Sequence, residues 1–382
     1  EYKLTVDGKE LLYSAANMYK GSVQREERRM ELLLTRYTKG LSEGKPLDKK
    51  VVSKKVEYLP CWLSYTGAVG GSLRALGVNC DTVDVGGYSG YAFIINVAKG
   101  VTCPSGPTAM PAGTWRQIHK GTESLGWTME IFMHQGSYPA DQGKPTPEEL
   151  EIVKNLFDKI KREIDERDSP VVLWGLVIPE YGIVKGYEGN SYIVSTYRSL
   201  IKQPEDPVLL FNLNAPGCLE AFFFRVRVKP DDITLDKQAL DRAIRFASGN
   251  TPIHDNYVGG PAALDEWANV LENSPEKKQN YHGNSYIGAC VCEGRYMSAE
   301  FLRRLAKKYT GKQSKHLQEA ASCYEKGWEL MKEFTRIFPF KVQGEMKLSD
   351  RKEGAEILRK VKPFEEEAVE HMRKALEEWK AV

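Results

Sequence analysis

Cys61 is the residue of this chain best placed for nucleophilic chemistry. Pro60 precedes it, and a run of small and apolar residues follows, with apolar positions at Leu63, Ala68, Leu73 and Leu76. Gly77 stands where a helix C-terminus would be capped. The run and its cap predict a helix over 61–76 with Cys61 at or near its start. There, the positive end of the macrodipole and unpaired N–H groups favour thiolate over thiol. Other candidates carry less. Ser89, in Gly87-Tyr88-Ser89-Gly90, lacks the spacing of a nucleophile elbow and reads as a tight loop lining a site. Cys290 and Cys292 share a strand face or diverge on a helix, with no second Cys or His pair nearby, so no metal site is expected. His254-Asp255-Asn256 and His282-Gly283-Asn284 each have two readings, helix caps or site loops. The sequence contains neither a Walker A run nor Gly-x-Gly-x-x-Gly after a strand, and no cofactor is expected.

The elements that must position these residues fall into two styles. A helix is expected over 13–37, then a lysine-rich linker over 39–55. Residues 86–90 read as a turn and 91–97 as a buried strand. Thr146-Pro147-Glu148-Glu149 opens a strong helix that Ser169-Pro170 ends. Strands are expected over 171–177, 182–186, 191–196 and 220–228, the middle two joined by a turn at Glu188-Gly189-Asn190. From Asp231 onward the pattern becomes helical, over 235–247, 261–271, 297–309, 315–338 and 350–379. The last two carry clean apolar stripes, such as Tyr324, Trp328, Met331 and Phe334, which read as core.

Composition narrows the class. The chain has 382 residues, enough for two or three domains at roughly 150 each. Its 54 basic and 52 acidic residues leave a net charge of +2, which gives no electrostatic reason to expect nucleic acid or an acidic membrane. No apolar run is long enough to cross a membrane, and the first ten residues lack the order of a signal peptide. Seven scattered cysteines, an odd number, argue for free thiols and a reducing, cytoplasmic setting.

A helix-borne cysteine followed by an antiparallel hairpin is the arrangement by which papain-like enzymes assemble a thiol nucleophile. On these residues the chain resembles the butirosin biosynthesis protein H N-terminal-like family, related to the cysteine peptidase domains of bacteriocin exporters. The resemblance is carried by Cys61-Trp62-Leu63-Ser64-Tyr65, Leu76-Gly77, Gly90-Tyr91-Ala92-Phe93, Cys103-Pro104-Ser105 and the strands around Gly186-Tyr187. A second stretch, 259–305 with Trp267, Asn284, Arg295 and Phe301-Leu302, is similar to helical C-terminal parts of that family. The resemblance implies a cysteine-dependent acyltransferase or hydrolase that forms an acyl-thioester at Cys61. Where the family places its histidine this chain has Glu180, and the orienting acid would fall near Thr196. A carboxylate beside a thiol raises its pKa. Three readings therefore stand open: a base from His119, His134, His254 or His282; Glu180 as base; or a degenerate site that only binds.

The expectation is an α+β protein. Residues 1–50 form a helical segment packed on a papain-like core of 51–230, and 231–382 form a helical module. Cys61, Glu180 and Thr196 would be catalytic. Tyr88, Ser89, Tyr181, His254, Asn256 and His282 would line a cleft suited to a small molecule or peptide with planar parts. The transfer reaction would also need an acyl donor, and a homo-oligomer is compatible with the sequence. The alternative function is a non-catalytic small-molecule binding protein with a degenerate papain-like site.

Overall fold

The computed structural model of the chain describes residues 2–6, 9–13, 48–140, 145–176, 178–227, 232–275 and 279–380. It is a mixed α+β protein with an antiparallel sheet and a predominantly helical C-terminal part. In chain order the elements are β1 (Tyr2–Val6), β2 (Lys9–Tyr13), β3 (Lys49–Val51), α1 (Ser64–Ala75), α2 (Thr82–Ser89), β4 (Asn96–Ala98), α3 (Ala112–Thr122) and β5 (Trp127–Gln135). Then come α4 (Pro147–Arg167), β6 (Val171–Trp174), β7 (Tyr181–Glu188), β8 (Ser191–Ser195), β9 (Val208–Leu209) and β10 (Cys218–Arg227). The chain closes with α5 (Asp232–Ala247), β11 (Tyr257–Gly259), α6 (Pro261–Asn273), α7 (Tyr281–Lys308), α8 (Lys312–Ile337) and α9 (Leu348–Lys380). Among the described residues no helix is long and apolar enough to cross a membrane.

The chain clusters into two compact units, Glu1–Tyr58 with Glu130–Phe223, and Leu59–Met129 with Phe224–Val382. The expected stretches 1–50, 51–230 and 231–382 do not coincide with them: residues 59–129 cluster with the C-terminal helices. Of the helix expected over 13–37, Tyr13 closes β2 and the rest lies outside the described residues. Of the expected linker, Lys49–Val51 is a strand.

In the first unit the sheet runs β5-β10-β6-β7-β8-β9, with β3 beside β7. The β6–β7, β7–β8 and β3–β7 pairs are antiparallel, and the β7–β8 register shifts between Val184 and Gly186. Helix α4 starts as its sequence predicts. Thr146 accepts from Glu149 N at 3.2 Å, while the Glu149 carboxylate accepts from Thr146 N at 2.7 Å. Its buried residues Val153, Leu156, Phe157, Ile160 and Ile164 make one apolar stripe, and the Phe157 ring meets Tyr192 of β8 at 5.1 Å.

In the second unit, α6 to α9 close over a core that includes Trp267, Ile287, Val291, Met331, Phe334 and Leu358. Residues 86–90 are not a turn: Gly86 and Gly87 lie inside α2, which Asp81 caps in a box with Asp84. Gly87 is needed for packing, since a Cβ there would stand 2.1 Å from the Phe301 ring. The helix ends at Gly90, whose φ of +77° belongs to the left-handed region. Nor is 91–97 a continuous strand. A 3-10 turn occupies Tyr91–Phe93, and only Asn96–Ala98 pairs, antiparallel with β11. The carbonyls a strand would give to a ladder are taken by Arg295, which donates to Ala92 O at 3.1 Å, Phe93 O at 3.4 Å and Ile94 O at 3.5 Å. Arg295 is itself paired with Glu365, at 2.6 and 2.9 Å, deep in the helical core.

Candidate functional site

Cys61 lies just before α1, whose first helical residue is Ser64 and whose N-cap, Leu63, makes no side-chain cap. The helix start is served from a distance instead. One oxygen of Glu293, on α7, accepts from Trp62 N at 2.7 Å and from Leu63 N at 3.3 Å. The same oxygen takes the Cys61 thiol, with Sγ at 3.0 Å. Three donors converging on one oxygen suit a carboxylate, and a carboxylate at a helix N-terminus is favoured by the macrodipole. Cys290, also on α7, donates its thiol to Trp62 O at 3.8 Å.

This arrangement inverts the electrostatics that thiolate formation requires. Cys61 is 1% exposed. Burial pushes its thiol well above the ordinary range, and the charge and hydrogen bond of Glu293 push the same way. Burial also raises Glu293, against the thiol and the two backbone N–H groups that hold its charge. A cavity of about 10 Å³, room for one water, lies beside Leu63, Tyr91, Ile94 and Cys290.

An open groove of about 750 Å³ lies in the same unit, lined by residues 99–101, 279–282 and 342–344. His282 is part of that lining, and burial pushes its imidazole below the ordinary histidine range. Its ring is also 6.0 Å from Tyr286 and 5.9 Å from Phe340, and Phe340 is 4.6 Å from Trp62, the chain neighbour of Cys61. All four rings are partly exposed. Asp255 and Asn256 adjoin Lys99 on the groove's lining, Lys99 N donating to Asn256 O at 2.9 Å and Lys99 Nζ to Asp255 O at 2.7 Å, whereas His254 N donates to Ala109 O at 3.4 Å.

Tyr88 donates to the fully buried Asp236 at 2.7 Å, which Lys308 and Tyr309 also approach at 3.0 and 2.7 Å. Burial and Asp236 together push the Tyr88 phenol upward. Ser89 closes α2, donating to Gly86 O at 3.2 Å and accepting from Tyr91 N at 3.1 Å. In the other unit, Tyr181 donates to the buried Glu220 at 2.7 Å. Glu180 enters β7 through a backbone bond from Gly175 N to its carbonyl, 3.0 Å. Thr196 packs on Gly182 of that strand and donates to Glu205 at 3.0 Å. Glu180, Tyr181 and Thr196 thus gather at one end of the β7–β8 hairpin. Cys61, Tyr88, Ser89, His254, Asn256 and His282 belong to the second unit. Of the other histidines considered as base, His119 stands 3.1 Å from the Tyr65 hydroxyl and stacks on Trp115, and His134 lies in β5.

Sequence reasoning missed Glu293, which is 232 residues from Cys61 and sits among the small residues of α7 without a motif. It also missed His316, Glu319 and His371, whose ring nitrogens and carboxylate meet on α8 and α9. The His-x-x-Glu spacing at 316–319 was the available signal. The chain matches no family model, and no curated protein matches it.

Proposed function

We propose that this chain is a small-molecule-binding protein on a papain-like frame, with its cysteine centre closed from within and its ligand taken in the groove beside His282. The observation that carries this reading is the Glu293 carboxylate at the head of α1. It occupies the N–H groups that an oxyanion would need, and it raises the thiol pKa where catalysis needs it lowered. The papain-like frame is supported by chain order, a cysteine before a helix and an antiparallel sheet later, with Glu180 and Thr196 at one hairpin end. The groove's amide and imidazole groups, and the aromatic rings that run from His282 to Trp62, suit a planar ligand with a hydrogen-bonding edge.

One observation favours a second reading, acyl transfer or amide hydrolysis through a thioester: the thiol lies within hydrogen-bond reach of a base. In that reaction Glu293 takes the thiol proton and Sγ forms a bond to the acyl carbon. The leaving group departs with a proton, and an amine or water then breaks the C–S bond.

The pH dependence of iodoacetamide labelling at Cys61, read by peptide mass spectrometry, separates the two. Under the binding reading, labelling is slow, with a midpoint above the ~8.5 of a free thiol. Glu293→Gln lowers the midpoint by removing a charge but leaves labelling slow, because the thiol stays buried. Fast labelling of the native chain near neutral pH, abolished in Glu293→Gln, would establish the thiol enzyme and end the binding proposal.

A further inference from the structure

We propose that His316, Glu319 and His371 form a three-ligand site for a divalent transition-metal ion of the zinc class, with a fourth position open to water. His316 and Glu319 are one turn apart on α8 and share a face, and His371 comes from α9. The start of α8 lies beside the end of α9, as the Lys312–Glu378 ion pair at 3.5 Å also shows. His316 Nδ1 and His371 Nδ1 each stand 3.0 Å from the same Glu319 oxygen and 3.4 Å from one another.

These separations lie within a few tenths of an ångström of those a tetrahedral ion imposes. Bonds of ~2.0–2.1 Å to nitrogen and oxygen place neighbouring donors about 3.3 Å apart, so the ligands close on an ion by shifts of a few tenths of an ångström. Two imidazoles and one carboxylate select zinc-class ions over magnesium or calcium, which prefer all-oxygen sets. The ligands stand on packed helices: Ala320, Ala368 and Met372 around them are fully buried. A carboxylate that could serve as outer partner stands close by. Glu367 lies 3.7 Å from His371 Nε2, the ring nitrogen that keeps its proton when Nδ1 binds metal. The side chains of His316, Glu319 and His371 are 22%, 36% and 18% exposed, enough for an ion to enter and for water to complete it.

The site is tested on the untagged full chain after dialysis against a chelator, by titrating ZnCl₂ in a calorimeter and CoCl₂ in a spectrophotometer. The expected result is one equivalent of Zn²⁺ and the visible bands of four-coordinate Co²⁺. Glu367→Gln costs about tenfold in affinity. Glu319→Gln and His371→Gln each cost more, with unchanged circular dichroism. Absence of binding would overturn the proposal and leave a hydrogen-bonded cluster, two N–H groups on one oxygen. So would binding that Glu319→Gln and His371→Gln leave intact.

Discussion

Glu365→Ala removes the counter-ion of an arginine that has no access to water. The Arg295 and Glu365 side chains are 1% and 2% exposed, joined by hydrogen bonds of 2.6 and 2.9 Å. Breaking a buried pair from one side costs about 3–5 kcal/mol, because the remaining charge stays buried. Glu365→Ala belongs at the lower end, ~3 kcal/mol, since three backbone carbonyls still receive the guanidinium. Arg295→Met belongs at the upper end, because it strands the carboxylate and the carbonyls together. The double variant Arg295→Met/Glu365→Leu removes both charges yet leaves Phe93 O and Ile94 O without this donor, while Ala92 O keeps Ser298 Oγ at 3.2 Å. At ~1–3 kcal/mol for each buried carbonyl left unmet, the double variant stays below the native chain. Urea unfolding followed by tryptophan fluorescence, with midpoints compared at a common slope, measures all three. A cost under ~1 kcal/mol for Glu365→Ala would refute the ion-pair argument. A double variant as stable as the native chain would refute the claim that Arg295 holds the 92–94 turn. That turn contributes Ala92 and Ile94 to the small cavity beside Leu63, so these variants should also speed Cys61 labelling.

Gly87→Ala forces a methyl group to within 2.1 Å of the fully buried Phe301 ring and should cost ~1–3 kcal/mol, read as a lower melting temperature. Thr146→Ala removes one half of the capping box on α4 and should cost ~1 kcal/mol in the same assay. His282 is held below the ordinary histidine range by burial, so the unfolded chain binds its proton more readily than the folded one. Its contribution is full above the unfolded value of ~6.5 and is lost as pH falls through it toward the folded value. Relative to His282→Gln, the native chain should therefore lose stability as pH falls below about 7; parallel profiles would refute the assignment.

Local signals in the sequence were read well where the chemistry was local. The Thr146–Glu149 box, the Glu188-Gly189-Asn190 hairpin and the stripes of α8 and α9 needed only neighbours a few residues apart. The errors sit where distant residues decide. Gly86 and Gly87 read as turn residues because the sequence does not show that Met297 and Phe301 press against them. The YAFIINV run reads as a strand because nothing nearby announces that Arg295 claims its carbonyls. Helix α7 was expected only from 297, since Gly283, Gly288 and Gly294 depress helix propensity by ~1 kcal/mol each, although Asn280 caps it with a bond from Gly283 N at 2.9 Å. The same limit applies to the site. The sequence places Cys61 at the head of a helix that in fact starts at Ser64, and it gives no sign of Glu293, which reaches the thiol from another helix.

The difference between a thiol enzyme and a closed centre therefore turns on a single competition at the head of α1. The N–H groups of Trp62 and Leu63 just before it favour an anion, and two anions can use them: a carboxylate from within the protein or the oxyanion of a reacting acyl group. The internal carboxylate is covalently tethered and holds the site without the entropy that binding a free substrate loses. To act as a base for Cys61 it must take the thiol proton, which places two negative charges side by side unless the proton neutralises the carboxylate at once. Once neutral, Glu293 is a poorer acceptor for Trp62 N–H and Leu63 N–H, and α1 loses part of its cap. Activating the thiol and capping the helix thus oppose one another in this geometry, and the two N–H groups that hold the Glu293 charge favour the cap.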